Sequence, residues 1–108
     1  QDAIGRCFMQ LIVDLDGTIC SEEKTFSRSM AKPIHGAKEA LDLLHSQGHT
    51  IIIYSARTWN EYEMTIKWLK DHHIPYDQVI LGKPVGNYWI DDRALSFTSW
   101  EKVLRKIK

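Results

Sequence analysis

The sequence contains little cysteine, no long apolar run and no excess of either charge, and each shortage excludes a class of protein. Its two cysteines, Cys7 and Cys20, form neither a CxxC pair nor a disulfide framework, which favours a reducing, cytoplasmic setting. No stretch approaches the roughly 18 apolar residues of a membrane span, and the short apolar run after Met9 does not resemble a signal peptide. Lysine plus arginine and aspartate plus glutamate each number 14, so we expect neither nucleic acid nor a membrane as a partner.

What the sequence does contain is an alternation of strand-like and helix-like segments. The 108 residues suit a single domain, residues 1–108, with one core. Hydrophobic periodicity predicts helices at residues 34–47, 60–72 and 99–107, the last opened by Ser99 as its N-cap, and strands at residues 8–14, 49–56, 78–81 and 87–91. Residues 18–33 form a polar excursion closed by Pro33. This alternation predicts a parallel α/β sheet with flanking helices.

The aromatic residues give further expectations about packing. Tyr62, Ile66 and Leu69 recur at helical spacing and are expected to form the buried face of the second helix. We expect Trp68 and Trp100 in the core and Trp89 buried in the sheet. The position of Trp59 just after a strand end suits packing at the start of a helix or stacking on a sugar ring.

Polar and charged side chains follow the predicted strands where each strand ends. In an open parallel sheet, ligands bind beyond the carboxyl ends of the strands, so these residues are expected at one edge. Four segments of the chain deliver the candidates Asp14 and Asp16, Ser55, Lys83, and Asp91 with Asp92. Arg57, two residues after Ser55, is a further candidate phosphate ligand, because an arginine fork suits phosphate. Arg93 could also bind phosphate or substrate, or it could equally pair with Asp92 or a surface acid.

This set of side chains is what phosphoryl transfer through a covalent intermediate requires. A phosphate ester and a carboxylate are both anionic, so attack needs a divalent cation and a positioned ammonium group. Carboxylate oxygens with waters are the ligands of Mg²⁺. A serine hydroxyl can hold a phosphate oxygen, and a carboxylate can act as the nucleophile.

In order and context, four motifs resemble those of the haloacid dehalogenase superfamily: "DLDGT", Ser55 after an apolar strand, "GKP" with Lys83, and "IDD". The resemblance implies a three-layer, Rossmann-like fold, covers nearly the whole chain and leaves no room for an inserted cap domain. Residues 18–33 occupy the place of the family's flap. The pattern "YSAR…WLKDHHIPYDQVILGKP…WIDDRA" looks most like small capless phosphatases of bacterial capsule and polysaccharide biosynthesis. A phosphorylated sugar or related metabolite is the substrate that this likeness suggests.

The resemblance also implies a role for each residue. Asp14 would be the nucleophile that becomes an aspartyl-phosphate, and Asp16 the acid that protonates the leaving oxygen and later activates water. Mg²⁺ would be held by an Asp14 oxygen, the Asp16 backbone carbonyl and Asp91, with Asp92 in support. Ser55 and Lys83 would bind the phosphoryl group, Lys83 also pairing with Asp14. Capless relatives often borrow neighbouring subunits as lids, so a homo-oligomer is plausible.

Four functions remain open at this point. The leading one is a Mg²⁺-dependent phosphomonoesterase, and a phosphotransferase or phosphomutase could use the same intermediate. A signalling receiver domain also combines acids, a hydroxyl and a lysine on an α/β sheet, but its phosphoacceptor aspartate ends a middle strand, where this sequence has Ser55. A non-catalytic binding module would have no need for the intact set of acids.

Overall fold

Three parallel strands form the centre of the structure, a computed structural model that describes residues 8–107. The strands are β1 (Gln10–Val13), β2 (Thr50–Tyr54) and β3 (Gln78–Ile80), arranged in the order β1, β2, β3. Gln10 lies opposite Thr50 in the first pair, and Tyr54 lies opposite Ile80 in the second. The β-branched run of β2 suits this central position, with Ile51 and Ile53 fully buried. The predicted α/β fold with a parallel sheet is confirmed, and Cys7 lies outside the described residues.

The helices connect the strands and cover the core. The first two are α1 (Ala37–Ser46) and α2 (Tyr62–Asp71). The third, α3 (Trp100–Lys106), begins as predicted at Ser99, whose side chain accepts a hydrogen bond from the Lys102 amide. α1 begins three residues later than predicted because Gly36 adopts a left-handed conformation (φ 81°) that no helix continues through. In residues 8–107, no helix has both the length and the apolar character needed to cross a membrane.

The buried face of α2 differs from the predicted one. Thr65, Trp68 and Leu69 are buried, whereas Tyr62 is 40 % exposed, so the expectation of a face containing Tyr62 is wrong. The buried face includes polar as well as apolar contacts. The Trp68 indole donates a 2.8 Å hydrogen bond to the carbonyl of Ala31. Trp68 and Trp100 are core residues, as expected.

The excursion at residues 18–33 is closed at its base and fastened to α2. A bridge joins Cys20 to Pro33, and the Ser21 amide donates to the Lys32 carbonyl at 2.7 Å. Between them lies a short 3₁₀ helix, Thr25–Met30, that contacts α2. Residues 18–33 therefore form a loop that is held at its two ends by backbone hydrogen bonds and in its middle by contacts with α2.

The segment predicted as a fourth strand does not form one. Residues 87–91 have no strand pairing, and Ile90 and Trp89 are 98 % and 55 % exposed, so the expectation that Trp89 is buried in the sheet is wrong. A short run of apolar residues favours a strand only where a neighbouring edge supplies hydrogen bonds and a buried face. Among residues 8–107, β1 pairs with β2 alone and leaves Ile12 66 % exposed, but residues 87–91 do not pair with its other edge.

Replacing Trp68 by phenylalanine should lower the free energy of unfolding by about 1–3 kcal/mol, because the Ala31 carbonyl loses a buried hydrogen bond. Urea denaturation measures the change. Trp89→Phe is the matched control and should leave the midpoint near that of the wild type, because Trp89 is 55 % exposed. Equal losses in the two variants would contradict the distinction between a core anchor and a surface side chain.

Candidate functional site

Asp14 lies directly beyond β1 and contacts the lysine predicted to accompany it. The Lys83 Nζ is 3.2 Å from the Asp14 Oδ1, with side chains 18 % and 39 % exposed respectively. The lysine also lies 5.3 Å from the centroid of the Trp89 ring and 5.9 Å from that of Tyr54. The structure thus brings together one carboxylate and one ammonium group at the carboxyl edge of the sheet, in contact with solvent.

Backbone hydrogen bonds beyond the strands fix Lys83 at this edge. The Ser55 amide donates to the Ile80 carbonyl, and the Lys83 amide donates back to the Ser55 carbonyl, both at 2.9 Å. The Gly82 amide donates to the Arg57 carbonyl at 2.9 Å. The chain after β3 therefore continues to pair with the chain after β2 for several residues. This pairing holds the Lys83 backbone beside Ser55, and its side chain extends to Asp14.

Asp16 is held by a buried arginine. Arg57 donates two hydrogen bonds to the Asp16 carboxylate, from Nε to Oδ2 at 2.9 Å and from Nη2 to Oδ1 at 2.7 Å. The Arg57 side chain is 1 % exposed and that of Asp16 is 15 % exposed. Such a two-point contact fixes both the position and the plane of the carboxylate. Arg57, a candidate phosphate ligand from the sequence, is directed at Asp16 in this structure.

The remaining donor of Arg57 is satisfied from α2. Its Nη1 donates to the Thr65 hydroxyl at 2.9 Å, and the Cys20 sulfur lies 3.8 Å from Nη2. Burial alone lowers the pKa of the Arg57 guanidinium, but the hydrogen bonds and charge of Asp16 outweigh burial and raise it. Burial and the nearby Asp16 charge raise the pKa of the Cys20 thiol to about 12, so this thiol is not a nucleophile at neutral pH.

Ser55 lies between these two contacts but faces inward. Its side chain is 1 % exposed, and its hydroxyl oxygen accepts a hydrogen bond from the Arg57 amide at 3.1 Å. A hydroxyl that accepts one bond still carries an O–H group that can be donated. The Ser55 backbone carbonyl thus contacts the Lys83 amide, while its hydroxyl group contacts the Arg57 amide.

A second buried ion pair joins this loop to residues 18–33. The Arg28 Nη1 lies 2.7 Å from the Glu61 Oε2, and the Thr58 amide donates to the Glu61 Oε1 at 3.1 Å. Burial raises the pKa of Glu61, but the hydrogen bonds from Arg28 and Thr58 outweigh it, so the pKa is lowered overall. The pattern Thr58-x-x-Glu61 is a capping-box signal in the sequence that identifies Glu61. No comparable signal identifies Thr65, a polar residue inside a helix.

Asp91 and Asp92 contact the arginine that follows them in the chain. Both are exposed; Asp91 accepts a hydrogen bond from the Arg93 amide at 2.8 Å, and Asp92 lies 3.7 Å from the Arg93 Nε. Within residues 8–107, no group of three or more histidine, cysteine, aspartate or glutamate side chains is arranged to hold a metal ion. The Mg²⁺ site expected at Asp14, the Asp16 backbone carbonyl and Asp91 stays a prediction.

Removal of the Arg57 side chain should destabilise the protein by about 3 kcal/mol, near the lower end for buried ion pairs because Asp16 is partly exposed. Urea denaturation of Arg57→Ala measures this loss. Arg57→Lys should lose less, since it keeps the charge but cannot form the two-point contact. The control Arg105→Ala removes an exposed pair with Glu101 and should leave the midpoint unchanged. A wild-type midpoint in Arg57→Ala would contradict the importance of the buried pair.

One comparison with known proteins identifies a family, and solved structures share the fold. The family model for haloacid dehalogenase-like hydrolases matches residues 11–107, which include all of the candidate residues. A crystal structure of a structural-genomics target from Vibrio cholerae superposes with a TM-score of 0.70 and 29% sequence identity, over 94% of this chain and 100% of that chain. No curated protein sequence matches the chain significantly.

Two further solved structures share the fold at lower identity. A conserved protein from Bacteroides thetaiotaomicron gives a TM-score of 0.65 at 22% identity, over 95% of this chain and 93% of that chain. One chain of the Pnkp1/Rnl/Hen1 RNA repair complex gives a TM-score of 0.63 at 22% identity. The match covers 82% of this chain and 29% of that one. At these identities the likeness concerns the fold alone.

Proposed function

The chain belongs to the haloacid dehalogenase-like hydrolase family, and from that premise we propose that it is a phosphomonoesterase acting through an aspartyl-phosphate on Asp14. Membership of the family supports a hydrolase of the phosphatase type in general. The ester, the intermediate and the role of each residue are the proposal. They rest on the geometry at the carboxyl edge of the sheet, in agreement with the motif order.

One observation carries the proposal most directly: the 3.2 Å contact between the Asp14 carboxylate and the Lys83 ammonium group. A carboxylate that attacks an anionic phosphate ester must approach like charge, and a fixed cation beside it reduces that repulsion. Lys83 is fixed by backbone pairing, and the Asp14 side chain is 39 % exposed, so a substrate can reach it. This pair can therefore bind and attack a phosphoryl group.

The proposed reaction has two steps with balanced proton transfers. An Asp14 oxygen attacks phosphorus and the bond to the ester oxygen breaks. For this step Asp16 carries a proton, which requires the release of one of its two hydrogen bonds from Arg57, and it passes that proton to the leaving oxygen. Water then attacks phosphorus, Asp16 takes a proton from that water, and phosphate leaves with Asp14 restored. Lys83 orients the phosphoryl oxygens in both steps. Arg57 holds the Asp16 carboxylate in one plane through its two-point contact.

Mg²⁺ is the proposed cofactor. The candidate ligands are carboxylate and carbonyl oxygens, which Mg²⁺ prefers, and members of the family generally use this ion. When bound, it would supply positive charge next to the phosphoryl group. Asp14 lies directly beyond β1, and Asp91 and Asp92 lie on an exposed segment of the chain after Lys83. An Asp14 oxygen, the Asp16 backbone carbonyl and Asp91 would hold the ion, with Asp92 in support.

The substrate class is proposed from the likeness to capsule and polysaccharide phosphatases: a phosphorylated sugar or related small metabolite. A cytoplasmic setting and assembly into a homo-oligomer are also proposals. A phosphotransferase or phosphomutase would share the intermediate, but an Asp14 side chain open to water favours hydrolysis over transfer. A receiver-like switch is disfavoured because β2, the middle strand of the sheet, is followed by Ser55, not by an aspartate.

Phosphate release from a panel of phosphorylated sugars, nucleotides and a chromogenic ester tests the proposal. The wild type should release phosphate in Mg²⁺ and lose that activity in EDTA. Asp14→Asn should lower the rate by at least about 10³-fold, because the amide cannot form the covalent intermediate. Asp42→Asn, which removes an exposed carboxylate paired with Lys38 on α1, is the matched control and should keep full activity.

Two results would overturn the proposal. One is Mg²⁺-dependent release that persists in Asp14→Asn, which would mean that another residue is the nucleophile. The other is transfer of phosphate to an added sugar in preference to water, which would identify a transferase. Circular dichroism of each variant establishes that the fold is retained.

A further inference from the structure

An exposed aromatic pair lies next to the candidate phosphate site. Trp59 is 61 % exposed and Tyr62 40 %, and their rings stack with centroids 6.1 Å apart and an angle of 29° between the planes. Single exposed apolar residues are common on protein surfaces, but two adjoining aromatic rings form a contiguous apolar surface of the kind that binds ligands. Tyr62 packs against the Trp59 indole and restricts its motion. A ligand that contacts the exposed part of the indole would therefore cost little additional side-chain entropy.

Contact between Trp59 and Gly82 places the aromatic pair close to Lys83. Gly82 has a φ of 80°, and a Cβ atom built on it would lie 3.4 Å from the Trp59 Nε1. The indole therefore lies directly against the residue that precedes Lys83, whose ammonium group contacts Asp14. Trp59 also follows Arg57, the residue that holds Asp16, by two positions. A phosphate ester at Lys83 would extend its leaving group within reach of this aromatic pair.

The side chains around the aromatic pair suit a ligand with a neutral ring that carries hydroxyl groups. A shallow pocket of about 570 Å³ is lined by Trp59, Asn60, Tyr62 and Glu63. None of these four is a cation, and the amide and carboxylate oxygens can accept hydrogen bonds from hydroxyl groups. The negative face of an aromatic ring attracts the C–H groups of a saturated ring. Glu63 would repel a second phosphate, so a nucleic-acid strand suits this pocket poorly.

We propose that Trp59, supported by Tyr62, is the specificity subsite of this enzyme and stacks on the pyranose ring of a sugar phosphate. Asn60 and Glu63 accept hydrogen bonds from the ring hydroxyls. The proposal deepens the proposed function and rests on it, because it assigns the leaving group of the ester that Asp14 attacks. It also explains why two aromatic side chains are exposed beside the loop that carries Lys83.

The test compares two esters across three variants. One ester is a hexopyranose phosphate and the other is glycerol phosphate, which has no ring. Trp59→Ala should lower kcat/KM for the hexopyranose phosphate by at least about tenfold, mainly through KM, and leave glycerol phosphate unchanged. Trp59→Phe should recover most of the loss. Phe8→Ala removes an exposed aromatic residue at the opposite end of the sheet and should behave as the wild type.

Other outcomes overturn the subsite. Equal losses for both esters would mean that Trp59 acts on the fold or on phosphate binding, and no loss for either would mean that the ring makes no contact. A phosphorylated oligonucleotide serves as a third ester. If Trp59→Ala lowers kcat/KM more for the oligonucleotide than for the hexopyranose phosphate, the aromatic pair binds nucleic acid and the sugar subsite is wrong.

A binding measurement separates failure of the subsite from failure of the proposed function. If the wild type hydrolyses neither ester, the indole N–H resonance of Trp59, assigned with Trp59→Phe, is followed by NMR during titration with hexopyranose phosphate. A shift of that resonance supports the subsite even without turnover. A shift of the Lys83 signals alone places phosphate at the site and overturns the ring contact.

Discussion

The site depends on one electrostatic constraint: two carboxylates follow the same short strand, and each contacts a cation there. Asp14 contacts Lys83 at 3.2 Å, and Asp16 forms the two-point contact with Arg57. The constraint is strongest at Asp16, whose side chain is 15 % exposed, because a largely buried carboxylate without a partner would cost several kcal/mol, a large share of a small domain's stability. The two cations come from the segments after β2 and β3, so the pairing of those segments with each other is what makes the site possible.

The two pairs differ in their surroundings, and the difference suits two different tasks. Arg57 is 2 % exposed and is held by Thr65 as well as Asp16, so this pair is rigid and protected from solvent. The Asp14 side chain is 39 % exposed, so its pair with Lys83 can admit a ligand. A carboxylate that moves protons benefits from a fixed position, and one that attacks phosphorus must be accessible. The surroundings of Asp16 and Asp14 suit the two roles proposed for them.

Much of this arrangement could be predicted from the sequence, because the motifs coincide with strong periodic patterns. The β-branched run before Ser55 identifies the central strand, and the carboxyl ends of parallel strands bring Asp14 and Lys83 to one edge. The partner of Arg57 was not predictable, because an arginine near a strand end can face a ligand or a carboxylate equally well. The role of Thr65 was hidden because a polar residue in a helix carries no periodic signal.

The segment at residues 87–92 shows the limit of local patterns. Its three consecutive apolar residues favour a strand, yet strand formation depends on a partner edge that the local sequence does not specify. Trp89 lies 5.3 Å from the Lys83 ammonium group, measured to the ring centroid, while Ile90 is 98 % exposed. The segment therefore contacts the site through one side chain without joining the sheet.

Direct identification of the phosphorylated residue tests the central claim best. The enzyme would be mixed with a radiolabelled phosphate ester, quenched in acid during turnover, and digested for peptide mapping. The account predicts label on the peptide that carries Asp14, with the lability to hydroxylamine that marks an acyl-phosphate. Label on a serine or histidine, or turnover without any labelled protein, would contradict an aspartyl-phosphate at the end of β1.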